Sequence, residues 1–484
     1  MTSSRVAPGT PNRIAEARAE FSAAGIELTD LTDTNPTRHG LFDPAILDIV
    51  ASHVGRSARY DPTPKGPWPA RAALAERFGG DPEDYWLTAS TSEAYGWLFT
   101  LLCDPGDSVA VPTPGYPLIE PLARLHSVRT CAYRTLYVHP SGWELDRDSV
   151  EEMLGAESDS GHSALSPCAQ VAGSTTQAED ADPATEPVLR GVAVRRMTTD
   201  AGRRFPSEPR TSDIGHSVRA VVSVHPNNPT GAYTDPWIAQ ACAEAGTALI
   251  ADEVFYPFQL TETAREPLIN DCRHSARSRR IHLTGIDPAT GAQDDREVAN
   301  NQWFPSDQPQ RLSGDDTALT FGLDGLSKLL AAPQLKLGWI RLSGPYSLRR
   351  QAERALDEIA DTYLSVNSPV ALALPELLTL ADSTIARVTA RLTANLATAR
   401  EVFTDLRVRT TYGGWMMLLD VPPILTPDDL GIALMNRAGI YVHPGYFYDL
   451  PDSTLALSLL PEEPVFREAC LRLAAGLDVL KSEV

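Results

Sequence analysis

Two lysines, Lys328 and Lys336, stand eight residues apart in FGLDGLSKLLAAPQLKLGWI (321–340), a stretch otherwise almost free of charge. Lysine is seldom left in apolar surroundings unless its ammonium is paired or hydrogen-bonded. Such surroundings have a chemical use. An amine is a nucleophile only when deprotonated, and burial lowers its pKa by penalising the charged form. A lysine held in this way can close a Schiff base with a carbonyl carbon. A Ser-Lys pair on its own is ordinary, since most lysines lie on the surface. The rest of the chain decides the matter.

The usual carbonyl partners of such a lysine are a substrate or pyridoxal phosphate. A pyridoxal site asks for donors to the phosphate, a carboxylate opposite the pyridinium nitrogen, a donor near the ring oxygen, and an apolar or aromatic floor. One stretch answers to each. TASTSEAYGW (88–97) sets the hydroxyls of Ser90, Thr91 and Ser92 where a helix begins, and the free N–H groups of a helix start bind phosphate readily. Ser90 and Glu93 equally fit a capping box, which would make this an ordinary helix start. Asp252 follows four apolar residues in ALIADEVF. It is either a helix cap or a carboxylate facing the crevice at a strand's carboxyl end. HPNNPTG (225–231) packs turn-formers densely, and Asn228 serves there as a donor or as a plain turn residue. PTPGYP (112–117) offers Tyr116 as a stacking ring or as a half-buried tyrosine in a Pro-rich turn.

In their order and spacing these stretches resemble the fold-type I pyridoxal-phosphate enzymes, specifically the class I/II aminotransferase family. The resemblance covers 28–150 and 218–480, and rests on YDPTPKGPWPARAALA, LTASTSEAYGWLFTLLCDPGDSVAVPTPGYP, HPNNPTG, ADEVF, GLSKLLAAPQLKLGWI and VHPGYFY. It implies pyridoxal 5'-phosphate as cofactor, no metal, and transfer of an amino group between a small-molecule donor and a keto or carbonyl acceptor. Lys328 is then the Schiff-base lysine and proton carrier, and Asp252 the partner of the ring nitrogen. Asn228 bonds the ring's 3-oxygen, Tyr116 stacks on the ring, and Ser90, Thr91 and Lys336 hold the phosphate. Tyr60 resembles the tyrosine that reaches the neighbouring subunit's phosphate, which implies a homodimer.

The departures from the family pattern bear on the same site. Phe255 stands where the family has a tyrosine three residues after the aspartate, and Tyr256, one place on, would point the other way on a strand. Gly325 replaces a serine three residues before the lysine. Lys336 replaces an arginine and gives up a bidentate fork. In LALSLLPEE, Ala456 occupies the place of the arginine that clamps the substrate carboxylate. Arg467 lies further along what reads as the final helix. Asn35 and Arg38, in TDTNPTRHG (32–40), fall where the family lines its substrate pocket. Arg38 could replace the missing anchor or be a solvated loop residue. With the anchor gone, β-elimination, decarboxylation and a non-catalytic pyridoxal-binding role stay open beside transamination.

Chemistry of this kind needs strands to present the motifs. DSVAVPT (107–113), VRAVVSVHP (218–226) and TALIADEVF (247–255) are short runs rich in Val, Ile and Ala, bounded by Pro, Gly or Asp, and read as buried strands. Helical patterns alternate with them at 92–102 and 236–246. The fold class is therefore α/β, a mostly parallel sheet with helices on both faces. Past 341 come long amphipathic helices and then short strands near GGWMMLLDV and LALSLL, which read as a smaller α+β domain. The domains expected are an arm at 1–40 joining the small domain, a large cofactor-binding domain at 41–340, and a small domain at 341–484. Residues 156–216 and 265–316 are poor in large apolar side chains. Such segments cannot bury enough surface to offset their ordering entropy and read as flexible insertions.

The chain has 484 residues, 43% hydrophobic and 22% charged, with a formal net charge of −21 and a pI near 4.9. That balance argues against nucleic-acid and anionic-membrane partners, which attract basic surfaces. None of the six cysteines forms a C-x-x-C pair, as suits a reducing, cytoplasmic setting. No signal peptide and no membrane span is expected.

Overall fold

The computed structural model describes residues 3, 5–6, 12–59, 61–139, 141–155, 218–260, 309–364 and 366–483. Tyr60, all of the first insertion and residues 265–308 of the second lie outside this set.

The large sheet has eight strands, in the order Tyr85–Thr88, Gly338–Ser343, Thr320–Gly325, Ala248–Asp252, Val218–Val224, Ser108–Thr113, Arg129–Val138 and Gly142–Leu145. The five strands from 320–325 to 129–138 pair in parallel, and the flanking pairs are antiparallel. Two antiparallel steps restore the direction of 85–88 to that of the parallel set. The motifs after Thr88, Thr113, Val224, Asp252 and Gly325 thus all emerge at one edge of the sheet. Helices cover both faces, as near-continuous apolar strands require. Trp97 and Phe99 of helix Thr91–Leu102 join Val222, Ile250 and Phe321 on one side. Ile238 and Cys242 of helix Trp237–Ala245 join Val221 and Leu249 on the other.

The second core surrounds a four-stranded antiparallel sheet, Arg407–Val408, Met416–Asp420, Thr454–Ser458 and His443–Pro444, packed on helices Ala381–Val402, Pro427–Ala438 and Glu463–Glu483. The N-terminal helix Arg13–Ala23 lies on this part through Ile14, Met435 and Tyr441, and Thr29–Asp30 pairs in parallel with Ile440–Tyr441.

The structure moves one boundary. Sequence pattern assigns everything after 341 to the small domain, but helix Tyr346–Tyr363 buries Ala352, Leu356 and Ala360 in the core of the large sheet, with Tyr363 against Trp97 at 5.6 Å. Helix Ser368–Leu377 packs with Ile46, Leu74 and Leu329 of the first part. An amphipathic stripe says that a helix has a partner, not which partner. Residues 368–402 are long and apolar enough by composition to cross a membrane. They are two helices joined by a 3-10 turn at Leu378–Leu380, and their apolar residues Val370, Leu374, Leu377 and Val388 are buried in the protein.

The second insertion is corrected at its end. Residues 309–316 form a strap fixed to the sheet. The buried carboxylate of Glu253 accepts from the N–H groups of Leu312 (2.7 Å) and Ser313 (3.1 Å) and from Arg311 Nη1 (2.8 Å). Composition alone held no trace of this, because the partner lies about sixty positions away in sequence.

Candidate active site

Asp252 ends its strand with the side chain buried, and the N–H of Val254 donates to its Oδ1 at 3.3 Å. The hydroxyl of Tyr95, in the second turn of helix Thr91–Leu102, donates to its Oδ2 at 3.0 Å. Burial pushes the Asp252 carboxyl up to about 6, against the Tyr95 hydroxyl, the Val254 N–H and the positive charge of Lys328, all of which favour ionisation. Lys328, after the strand Thr320–Gly325, faces two aromatic rings. Its Nζ lies 4.6 Å from the centre of the Trp415 ring and 5.2 Å from that of Phe255. Burial brings its amine down to about 8, and Asp252 opposes this. A sizeable fraction of the amine is therefore neutral near physiological pH, while the acid beside it is mostly ionised.

The turn 225–231 is tied to this pair. His225 N–H donates to the Asp252 carbonyl at 2.8 Å, Nδ1 accepts from Thr234 N–H at 2.9 Å and Nε2 pairs with the Gln310 carbonyl at 2.9 Å. Burial pushes His225 down to about 4, so it is neutral with its proton on Nε2. Asn227 bonds Pro114 and Thr230. Asn228 differs: its Oδ1, an acceptor, is buried and among the described residues has no hydrogen-bond partner. Tyr116 is 41% exposed, and Asp252 lies near enough to raise its hydroxyl along with burial.

Ser90 is the N-cap of its helix and accepts from Glu93 N–H at 3.1 Å. Glu93 reaches back to Ala89 N–H at 2.6 Å, one residue earlier than a reciprocal capping box. The capping reading is thus realised. Gly338 closes this corner: a Cβ there would stand 3.2 Å from both the Ser90 carbonyl carbon and Thr91 N. Lys336, two residues before it, is exposed and, among the described residues, has no ion-pair partner. Gly325 has a steric reason, since a Cβ would stand 3.0 Å from the Leu337 carbonyl oxygen.

Phe255 and Tyr256 lie in a turn rather than on a strand extension. Tyr256 does point away, and its hydroxyl donates to the Pro309 carbonyl of the strap. Ala456 is buried with Trp143, Met416 and Tyr448, opposite Leu418 and His443. Arg467 forms a two-pronged pair with Glu401 at 2.9 Å on the exposed surface. Asn35 and Arg38 instead line a pocket of about 430 Å³ together with Lys328, Arg18, Asp30 and Asp33.

The residues fit pyridoxal phosphate: an amine kept partly neutral, an ionised buried acid with its own donor, and a helix start packed against Gly338, two residues from the exposed Lys336. Sequence reasoning missed five residues here. Tyr95 was within reach, four residues past Thr91 and so on the same helix face. Arg18, Trp415 and the Glu253–Arg311 pair come from distant segments that no local pattern connects.

Comparison with known proteins agrees. The alanine aminotransferase of Pyrococcus furiosus superimposes with a TM-score of 0.69 at 17% identity, over 100% of both chains. The two proteins share one fold. The family model described as aminotransferase class I and II matches residues 45–172. Nicotianamine aminotransferase 1 of Oryza sativa subsp. japonica is 27% identical over 150 residues, 31% of this chain and 26% of that protein. S-alkyl-thiohydroximate lyase SUR1 of Arabidopsis thaliana is 29% identical over 115 residues, 22% of this chain and 24% of that protein. The chain thus matches about a quarter of the length of these curated relatives.

Proposed function

We propose that this protein is a pyridoxal-phosphate-dependent aminotransferase, moving an amino group from a small-molecule donor to a keto or carbonyl acceptor. The observation that carries the reading is Lys328, an amine brought down to about 8 between two aromatic rings and coupled to the buried Asp252. When bound, the cofactor supplies an aldehyde and a ring that accepts the electron pair left at the substrate's α-carbon. Lys328 provides the nucleophilic Nζ and moves a proton with it. Asp252, kept ionised by Tyr95, holds a negative charge for the ring nitrogen. Asn228 offers its amide to the ring oxygen, and Tyr116 its face. Ser90, Thr91 and Lys336 form the phosphate end, and Trp415 and Phe255 give the amine an apolar flank. The test is optical: amino donors should convert the visible absorbance of the loaded protein to that of the amine form of the cofactor. A broad panel of amino acids and amines that leaves the spectrum unmoved sinks the reading.

A second reading, β-elimination on the same scaffold, is favoured by Ala456 in place of the carboxylate clamp and by the likeness to a lyase. The fold does not choose between these reactions. Pyruvate and ammonia released from cysteine-like donors would mark it.

We infer a homodimer as well. Large apolar side chains are exposed on either side of Tyr60, at Leu47, Val54 and Trp68, which supports an interface there. Sedimentation at micromolar protein tests it. A cytoplasmic setting is supported by Cys103, Cys242 and Cys470, which remain thiols, and fractionation of the source cells checks it.

A further inference from the structure

Resting on the aminotransferase reading, we propose that the substrate's carboxylate is held by two arginines of the N-terminal segment, Arg18 and Arg38. The substrates are accordingly α-amino acids and their 2-oxo acids, not simple amines. The usual place for such a clamp is closed, because Ala456 is wholly buried in an apolar cluster. Other internal arginines do not line the pocket that contains Lys328. Arg391 donates to the Leu460 carbonyl at 3.1 Å, Arg387 to the Leu41 carbonyl at 3.1 Å, and Arg409 to Asp420 at 2.7 Å.

The pocket that exposes Lys328 is lined by Arg18, Arg38, Asn35 and the acids Asp30 and Asp33. Counting donors against acceptors decides what it receives. Each acid has partners inside the pocket and still has fewer open acceptor sites than the arginines have donors. Asp30 Oδ1 accepts from Thr32 N–H and hydroxyl (2.8 and 2.6 Å), and its Oδ2 from Arg18 (2.7 Å). Asp33 Oδ1 accepts from Asn35 N–H (2.8 Å), and its Oδ2 from Arg38 (3.2 Å). A guanidinium carries five N–H donors, and each arginine spends one on its acid. Among the described residues the Asn35 side chain uses only its oxygen, accepting from Thr37, which leaves its NH₂ as a further donor. The surplus is in donors, which calls for an anion. Arg18 is pre-set for the task, its guanidinium lying 4.2 Å from the centre of the Tyr441 ring. Arg38 is the more exposed member, with its side chain 70% exposed.

The test uses the full chain. Calorimetry with 3-phenylpropionate, which cannot react, reads the anchor without the cofactor. Titration of the pyridoxal-phosphate-loaded protein with phenylalanine and with phenethylamine reads it through the visible band. Arg38→Gln and Arg18→Gln should each weaken the acid ligands about tenfold, and the pair together about a hundredfold, as for charge-assisted bonds. The amine and the cofactor spectrum should not move. Arg18→Lys should fall between, and Arg467→Gln should match the wild type. Arg38→Gln alone keeps the test decisive should Arg18→Gln fail to fold. The proposal is overturned if Arg38→Gln binds 3-phenylpropionate as the wild type does, or if the wild type prefers phenethylamine. A wild type that binds 3-phenylpropionate through these arginines yet takes up no pyridoxal phosphate would sink the aminotransferase reading and leave the anion site standing.

Discussion

Tyr95 donates its hydroxyl to Asp252 at 3.0 Å inside the protein, and both side chains are almost free of solvent. The bond keeps an ionised acid affordable where burial would otherwise neutralise it. Tyr95→Phe should raise the Asp252 pKa above its present value of about 6 and cost roughly 1–2 kcal/mol of hydrogen bonding to a charged group. Pyridoxal phosphate affinity, followed by absorbance, should fall about tenfold at pH 7 and recover partly at pH 8.5.

Asp252→Asn separates stability from function. The wild-type carboxyl has its folded pKa raised to about 6, from a model-peptide value near ~3.8. Its stabilising contribution is therefore full below pH ~3.8 and is lost as pH rises through about 6. At pH 8 the cofactor-free variant should unfold at higher denaturant than the wild type, by at most roughly 3 kcal/mol. At pH 4 the two should agree. Cofactor binding should be crippled throughout.

Lys328 carries the opposite sign. Its folded pKa, about 8, lies below the unfolded ~10.5, so the unfolded chain binds more protons between these values and stability rises with pH across that window. The neutral amine that reacts with the aldehyde also grows through about 8. The rate of cofactor uptake should climb between pH 7 and 9 by about tenfold and then level. After borohydride reduction, peptide mapping should find the label on Lys328 and none in Lys328→Ala.

Phe255→Tyr returns a hydroxyl beside the amine. A donor near the ring oxygen would stabilise its anion, so the pH at which the visible band changes should drop by about one unit. Placing the hydroxyl in this packed corner should cost on the order of 1 kcal/mol, read as a lower melting temperature.

Arg311 joins two buried acids, Glu253 at 2.8 Å and Asp324 at 3.2 Å. Arg311→Met leaves both uncompensated and should destabilise the protein by about 3–5 kcal/mol. Burial raises Asp324 to about 7 even with the arginine present. Its protonation makes the loss smaller at pH 6 than at pH 8, which denaturant melts at the two pH values would reveal.

Much of this site was written locally. Val218–Val224 and Ala248–Asp252 are apolar runs that end in turn-formers, and the residues after them are those that converge on Lys328. The Ser90 cap was legible because its partner is three residues away. What escaped depends on long separations. The helix Tyr346–Tyr363 has the stripe of a packed helix, but its partner Trp97 stands some 250 positions earlier. Arg18 shares a pocket with Lys328 only because Thr29–Asp30 pairs with Ile440–Tyr441. The strap at 309–316 has a polar composition that hides four contacts to one carboxylate.

The strap also bears on how such a chain acquires length. Tyr256 holds the Pro309 carbonyl, and Gln259 bridges Gly413, so the polypeptide departs and returns within a few residues of the same anchor. A stretch spliced between such neighbouring posts alters neither the strand order nor the register of Asp252 against Leu323. Changes of length confined to 261–308 therefore leave both posts in place, which makes this junction the natural place to graft a foreign module.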